Sequence, residues 1–141
     1  MMIKHILMLT FITITLLGIP TLQHAYSAKP IIIFDKPAYN PFATAKILIV
    51  DPTSNIDNSL VDTVRAVVYT KSNVGNLFEF TEVAPDAGVF QAFVRLTPNN
   101  NEWPADITVQ KNDGLIVEYN SKEGSSTGNV KIDFSDRKSV V

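Results

Sequence analysis

The chain contains no cysteine, and its two histidines, His5 and His24, both lie within residues 1–27. The lack of cysteine excludes disulfides, thiolate nucleophiles and cysteine-ligated metal sites. If residues 1–27 are removed after export, the mature chain has no imidazole either. Ser-His-Asp catalysis and histidine-ligated zinc are then excluded as well.

Basic runs and glycine-rich loops are also lacking. The formal net charge is −2, and removal of residues 1–27 takes away one lysine and no acid, which leaves −3. A weakly acidic chain without a basic patch is a poor nucleic-acid binder. The six glycines stand singly at breaks and turns, so no phosphate-binding loop is predicted.

The first residues have the order of an export signal. Lys4 gives a positive start, residues 6–17 are apolar apart from three threonines, and Ala25-Tyr26-Ser27 places small residues before a cut at Ala28. The alternative is a retained membrane anchor, but the apolar run is shorter than the roughly 18–20 residues of a spanning helix. We therefore predict a secreted, cell-surface-associated protein with no membrane span after cleavage.

The rest of the chain has a hydrophobic period of two, which is typical of half-buried strands. Polar turns separate the apolar runs, and no stretch has the period of an amphipathic helix. The pattern predicts an all-β fold, an antiparallel β-sandwich of seven to eight strands. We expect a signal peptide at 1–27, one domain at 28–136 and a short tail at 137–141. The predicted strands lie near 30–35, 43–50, 62–70, 76–82, 88–96, 105–110, 114–120 and 129–134, and the Ser/Gly-rich stretch 121–128 is predicted to be mobile.

Several short segments between residues 33 and 120 form a recognisable set. The most specific is Glu82 followed by Asp86-Ala87-Gly88-Val89-Phe90. The others are Lys36-Pro37-Ala38-Tyr39, Asp51-Pro52 with Asn55, Asp62-Thr63-Val64, Phe80-Thr81-Glu82, Asp113-Gly114 and Val117-Glu118-Tyr119. Together these segments resemble the Ig-like repeat of archaeal surface-layer proteins. The resemblance implies an Ig-like fold and a place in a cell-surface or envelope assembly. Such proteins are usually long arrays, whereas this chain has one domain, so the expected role is that of a small secreted relative or accessory.

Acidic and amide side chains are concentrated in three connections, 51–61, 83–87 and 111–113. If every strand runs from one end of the domain to the other, successive connections lie at alternate ends. These three connections would then share one end. Oxygen ligands of this kind suit Ca²⁺. The predicted metal ligands are Asp51, Asn55, Asp57, Glu82 and Asp86. The alternative is that these residues are ordinary turn formers that accept local backbone hydrogen bonds.

Some apolar side chains fall at outward positions of the predicted strands. Val67, Tyr69 and Phe93 form a contact patch for a second copy or another envelope protein if they share one sheet, unless a loop covers them. Trp103 either closes the core or contacts carbohydrate.

These observations predict an exported, non-enzymatic Ig-like module with a structural or protein-binding role at the archaeal cell surface. Calcium is its candidate stabilising ion. Its expected partners are other cell-envelope or surface-layer proteins, or a second copy. The alternative function is a secreted carbohydrate- or polymer-binding module, and a carboxylate hydrolase is a more distant one.

Overall fold

A computed structural model describes residues 28–98 and 106–135. The predicted signal peptide, Trp103 and the short C-terminal tail lie outside these residues. The fold is all-β, as the sequence predicts, and no helix of the described part is long and apolar enough to cross a membrane. A single turn of 3₁₀ helix spans Pro52–Ser54. The strands are β1 (Ile31–Phe34), β2 (Ala38–Tyr39), β3 (Thr44–Val50), β4 (Thr63–Thr70), β5 (Asn73–Glu82), β6 (Val89–Thr97), β7 (Ile107–Thr108), β8 (Gly114–Ser121) and β9 (Gly124–Ile132).

Hydrogen bonds join these strands into one curled, mixed sheet in the order β1-β3-β6-β5-β4-β8-β9-β2, with β7 beside β6. Most pairs are antiparallel, as predicted. The two exceptions are β2 with β9 and β6 with β7, which are parallel. Strands β5 and β6 pair at only two positions, Thr81 with Gln91 and Glu82 with Phe90. The sheet therefore turns sharply there and wraps around the core.

The core consists of the inward-facing residues that the alternation predicts. Side chains at every second position of β3, β6 and β8 are buried, whereas their neighbours are more exposed. Period-two burial follows because successive side chains of a strand point to opposite faces of the sheet. The largest fully buried apolar side chains are Tyr39, Phe80, Phe90, Ile47, Ile49, Ile107 and Leu115.

The two ends of the curled sheet meet where β1 crosses β9. A Cβ atom at Gly128 would lie 2.6 Å from Cγ2 of Ile32 and 3.1 Å from Cε2 of Phe34. Real Cβ atoms do not approach so closely, so only glycine permits this contact. The hydroxyl of Ser126 donates to the carbonyl of Pro30 at 2.5 Å and ties the same two segments together.

Small residues on β9 explain why the prediction for 121–128 was wrong. Residues 124–128 are part of β9 and pair with β8 in a hairpin whose turn is Lys122-Glu123. Ser121 holds this turn, because its hydroxyl accepts from the backbone NH of Glu123 at 3.1 Å. At Gly128, the small residue leaves the space that Ile32 and Phe34 fill.

Two phenylalanines on β6 allow a matched test of which face of this strand is buried. Phe90 is fully buried, whereas Phe93 is 58% exposed on the opposite face of the strand. Phe90→Ala should lower the free energy of unfolding by about 3–5 kcal/mol, as buried aromatic truncations do. Phe93→Ala should change it by less than about 1 kcal/mol, because it leaves no internal cavity. Urea unfolding of both variants measures this difference, and equal losses would contradict the register.

Candidate functional site

Two of the three acidic connections meet at one end of the domain, which we call the loop end (residues 51–62 and 83–88). The backbone NH of Asp51 donates to the carbonyl of Gly88 at 2.9 Å. The amide of Asn55 donates to the carboxylate of Asp86 at 2.9 Å. The predicted convergence of these two connections is therefore confirmed.

The third connection lies at the opposite end of the domain, so the prediction was wrong for residues 111–113. Asp113 accepts hydrogen bonds from the hydroxyl of Ser72 and, at 2.7 Å, from the backbone NH of Gln110. The parallel pairing of β6 and β7 explains the error. Because parallel neighbours require a connection that returns along the sheet, the alternation of loops between the two ends is broken there.

Asp51 is the most buried carboxylate of the loop end, with no exposed surface. Its two oxygens accept hydrogen bonds from the hydroxyls of Thr53 at 2.6 Å, Ser54 at 2.6 Å and Tyr119 at 2.8 Å. Burial alone would raise the pKa of Asp51, but the hydrogen bonds from Ser54, Thr53 and Tyr119 outweigh it and lower the pKa below its ordinary value. The ionised carboxylate is therefore stable without a metal or a cationic side chain.

Tyr119 brings strand β8 into this network. Burial raises the pKa of Tyr119 to about 12; the hydrogen bond with Ser54 opposes this shift, and the hydrogen bond to Asp51 adds to it. The phenol thus stays protonated and donates to Asp51. The roles of Thr53, Ser54 and Tyr119 in this network are not predicted by the sequence pattern. The only available signal was an acidic residue directly before two hydroxyl residues, which is common in turns.

Glu82 organises the second half of the loop end in the same way. It is 3% exposed, and its carboxylate accepts from the backbone NH of Gly88 at 2.8 Å and of Asp62 at 3.1 Å. Gly88 has a φ of 61°, and a Cβ there would lie 2.7 Å from Cα of Pro52. Glycine is therefore required both by the backbone conformation and by the close packing of the two loops.

The other predicted ligands lie nearer the surface. Asp57 accepts from the backbone NH of Ser59 at 2.9 Å and from its hydroxyl at 2.6 Å, and these bonds lower the pKa of Asp57. The Oδ1 atom of Asn55 is buried and has no hydrogen-bond partner in the described part of the chain. All five predicted ligands thus lie at the loop end. Asp51 and Glu82 are buried and accept hydrogen bonds from protein donors, whereas Asn55, Asp57 and Asp86 lie nearer the surface.

No group of three or more acidic or histidine side chains among residues 28–98 and 106–135 is arranged to hold a metal ion. A site built from Asn55, Asp57 and Asp86 would therefore depend on amide, backbone or water oxygens as well. Calcium binding stays a prediction.

The predicted contact patch is divided between two surfaces. Val67 and Tyr69 lie on β4, where their neighbours across the strand pairs are Leu77 on β5 and Ile116 on β8. Phe93 lies instead on the outer side of three neighbouring strands, which we call the β1–β3–β6 face. Six apolar side chains lie on this face: Ile31, Ile33, Leu48, Val50, Val89 and Phe93.

Comparison of the chain with protein-family models finds no match, and comparison with curated proteins finds no significant one.

The network around Asp51 predicts a specific dependence of stability on pH. Because folding lowers the pKa of Asp51, its ionisation stabilises the fold fully above the unfolded pKa of about 4. This stabilisation is lost as the pH falls through the lower folded pKa. Asp51→Asn should cost about 2–3 kcal/mol at pH 7, since an amide cannot accept from all three hydroxyls as a carboxylate does.

Urea unfolding between pH 7 and pH 3 measures the free energy of unfolding of the native chain and of Asp51→Asn. The difference between the two should become smaller as the pH falls. Glu79→Gln is the matched control, because Glu79 is exposed on β5, and it should stay within about 0.5 kcal/mol of the native chain at pH 7. A difference in the free energy of unfolding that is the same at every pH would contradict the role given to the Asp51 carboxylate.

The calcium prediction is tested by thermal unfolding with millimolar calcium or with chelator. Calcium at about 100 times its Kd would add about 2.7 kcal/mol and raise the Tm. The double variant Asp57→Asn with Asp86→Asn should lose this response while keeping its fold, because both side chains lie outside the core. Asp133→Asn, at the opposite end, should respond like the native chain. If calcium leaves the Tm unchanged, Asp57 and Asp86 act as turn formers and not as calcium ligands.

Proposed function

We propose that the chain is an exported, non-enzymatic Ig-like module with a structural or protein-binding role at the archaeal cell surface. In this proposal, residues 1–27 direct export and are removed. The β1–β3–β6 face then binds another protein of the cell envelope. The exposed apolar side chains of this face are the observation that carries the proposal.

The strand order supports the Ig-like part of the proposal. In Ig domains, strands A, B and E are neighbours in one sheet and strands C, F and G in the other. Here β1, β3 and β6 are neighbours, and so are β4, β8 and β9. Strand β5, in the position of strand D, pairs mainly with β4 rather than with β6. The two groups of three therefore follow the Ig order, with one edge strand changed.

The hydrogen bonds of the loop end support a role without catalysis. A general acid or base needs a carboxylate that faces substrate and has a proton to exchange. Asp51 and Glu82 are buried and accept hydrogen bonds from protein donors. The carboxylate of Asp62 likewise accepts from the backbone NH groups of Ile56 and Asp57. These groups build the loops rather than a reaction centre.

The β1–β3–β6 face supports protein binding. Ile31, Ile33 and Phe93 are 56%, 43% and 58% exposed. Leu48 lies between Ile33 and Gln91 across the strand pairs, and Lys46 is paired with Phe93. The apolar centre of the face is thus formed by Ile31, Ile33, Leu48, Val50 and Val89, which are neighbours across the strand pairs. Phe93 lies beside it, next to Gln91 and Lys46. An apolar centre with a polar margin is the usual anatomy of a protein interface. Contiguous apolar surface of this kind marks interaction sites on soluble domains.

The proposal is tested by binding to envelope proteins. The tagged mature domain is used to recover partners from envelope extracts, and the recovered partner is then purified for measurement of Kd. Phe93→Glu should weaken binding at least about tenfold, because loss of an aromatic anchor at an interface often costs 2 kcal/mol or more.

Leu77→Glu is the matched control, since Leu77 is 61% exposed but lies on β5, outside the β1–β3–β6 face. It should bind like the native domain. Equal binding by the native domain and Phe93→Glu would contradict the role of this face. Recovery of glycans without protein would favour the carbohydrate-binding alternative.

A further inference from the structure

The loop end presents a cluster of exposed aliphatic side chains, which we call the apolar tip: Ile56, Leu60, Val61 and Val83. They are 84%, 62%, 47% and 46% exposed. Val61 and Val83 are chain neighbours of Asp62 and Glu82, whose backbones are joined by a hydrogen bond of 2.9 Å. Ile56 lies beside them, because its backbone NH donates to the carboxylate of Asp62 at 2.6 Å. The tip is therefore one surface, although two connections contribute to it.

Three of the four tip residues have their backbone NH bonded within the protein. The NH of Ile56 donates to Asp62, the NH of Leu60 donates to the carbonyl of Asp57 at 3.1 Å, and the NH of Val83 donates to the carbonyl of Val89 at 2.9 Å. A loop that faces water needs no such bonds, because water satisfies its NH groups. A loop that enters a lipid surface does need them, since little water is present there to replace them.

The polar side chains between the tip residues are bonded to each other as well. The hydroxyl of Ser59 donates to the carboxylate of Asp57 at 2.6 Å, and the amide of Asn55 donates to the side-chain oxygen of Asn58 at 3.1 Å. The loop therefore keeps its form through its own hydrogen bonds. It can leave water without losing the contacts that shape it.

The chain also enters the domain at the loop end. Ile31 pairs with Val50, the residue before Asp51, and the carbonyl of Pro30 accepts from the hydroxyl of Ser126 at 2.5 Å. Residues 18–27 separate the apolar run 6–17 from Ala28. A segment of this length reaches at most about 36 Å. While the apolar run lies in the membrane during export, the loop end is therefore the end of the domain that is tethered to lipid.

Charges of both signs surround the tip. Lys29, Lys122 and Asp86 are exposed, and Asp57 is half-buried. Charge thus selects neither an anionic nor a cationic partner, so the attraction has to come from the aliphatic side chains. A zwitterionic lipid surface, which has no net charge, fits this composition.

We propose that the apolar tip inserts into the surface of a lipid bilayer, at the boundary between headgroups and acyl chains. Burial of apolar area drives such insertion, and the contact is peripheral and reversible. The inference rests on the proposed export of the chain and specifies what the loop end contacts afterwards. It uses none of the side chains of the β1–β3–β6 face, which stays accessible to envelope proteins beside the membrane.

Single labelled cysteines test which surface meets lipid, because the chain has no cysteine of its own. Leu60→Cys reports on the tip, Leu77→Cys on β5 and Phe93→Cys on the β1–β3–β6 face, and the three native side chains are similarly exposed. Each variant, without residues 1–27, carries an environment-sensitive fluorophore and is mixed with phosphatidylcholine vesicles. The label at position 60 should shift its emission to shorter wavelength, whereas the labels at 77 and 93 should keep theirs.

Vesicle flotation measures the strength of the contact. Leu60→Asp should lower the molar partition coefficient at least about tenfold, because burial of one leucine side chain contributes a factor of about ten or more. Leu77→Asp is the matched control and should partition like the native protein. Both leucines are exposed, so both variants should keep the native circular dichroism and Tm.

An unchanged emission at position 60 would overturn the inference, yet would leave binding of envelope proteins through the β1–β3–β6 face untouched. A shift at position 93 instead of position 60 would also overturn it, since the domain would then meet lipid through that face. Equal shifts at all three positions would indicate unspecific adsorption and would overturn it too. If Leu60→Asp weakens binding to a purified envelope protein while vesicles leave the label at position 60 unchanged, the tip binds protein and not lipid.

Discussion

The buried carboxylate of Asp51 is the interaction on which the loop end depends. It lies directly after β3 and accepts from the next two hydroxyl residues, which closes the 3₁₀ turn Pro52–Ser54. Through Tyr119 it also joins β3 to β8, two strands that are not neighbours in the sheet. Ionised groups are costly to bury unless hydrogen bonds replace their water, and here three hydroxyls do so. Together with the hydrogen bonds that Glu82 and Asp62 accept, this anchor holds the loop of residues 51–62 in place.

A second constraint, the contact of β1 with β9, gives the domain its two distinct ends. Gly128 lets Ile32 and Phe34 lie directly on β9, so the ends of the sheet close over the core. Strands β3, β4, β5, β6, β8 and β9 are paired antiparallel, so their connections lie at two opposite poles. The closure of the sheet thus sets which connections meet: residues 51–62 and 83–88 lie at one pole, and Ser72 and Asp113 lie together at the other.

The sequence pattern predicts much of this fold, but it predicts less of the hydrogen-bonded groups at the loop end. Alternation along β3, β6 and β8 predicts the buried faces correctly, because side-chain direction in a strand depends only on position. Loop alternation also predicts that Asp51 and Asp86 lie at one end. It fails for Asp113, since a parallel pair such as β6 and β7 is set by long-range contacts that no local pattern carries. Periodicity does not indicate which donors satisfy a carboxylate, so the hydroxyl and backbone donors around Asp51 and Glu82 were not predicted.

The acids of the loop end therefore divide into two kinds with different consequences. Asp51, Asp62 and Glu82 accept hydrogen bonds from protein donors and hold the loops in place. Asp57 and Asp86 lie nearer the surface, where the predicted calcium ion would reach them. An ion bound there would relieve the repulsion between the two carboxylates and leave the hydrogen bonds that hold the loops in place.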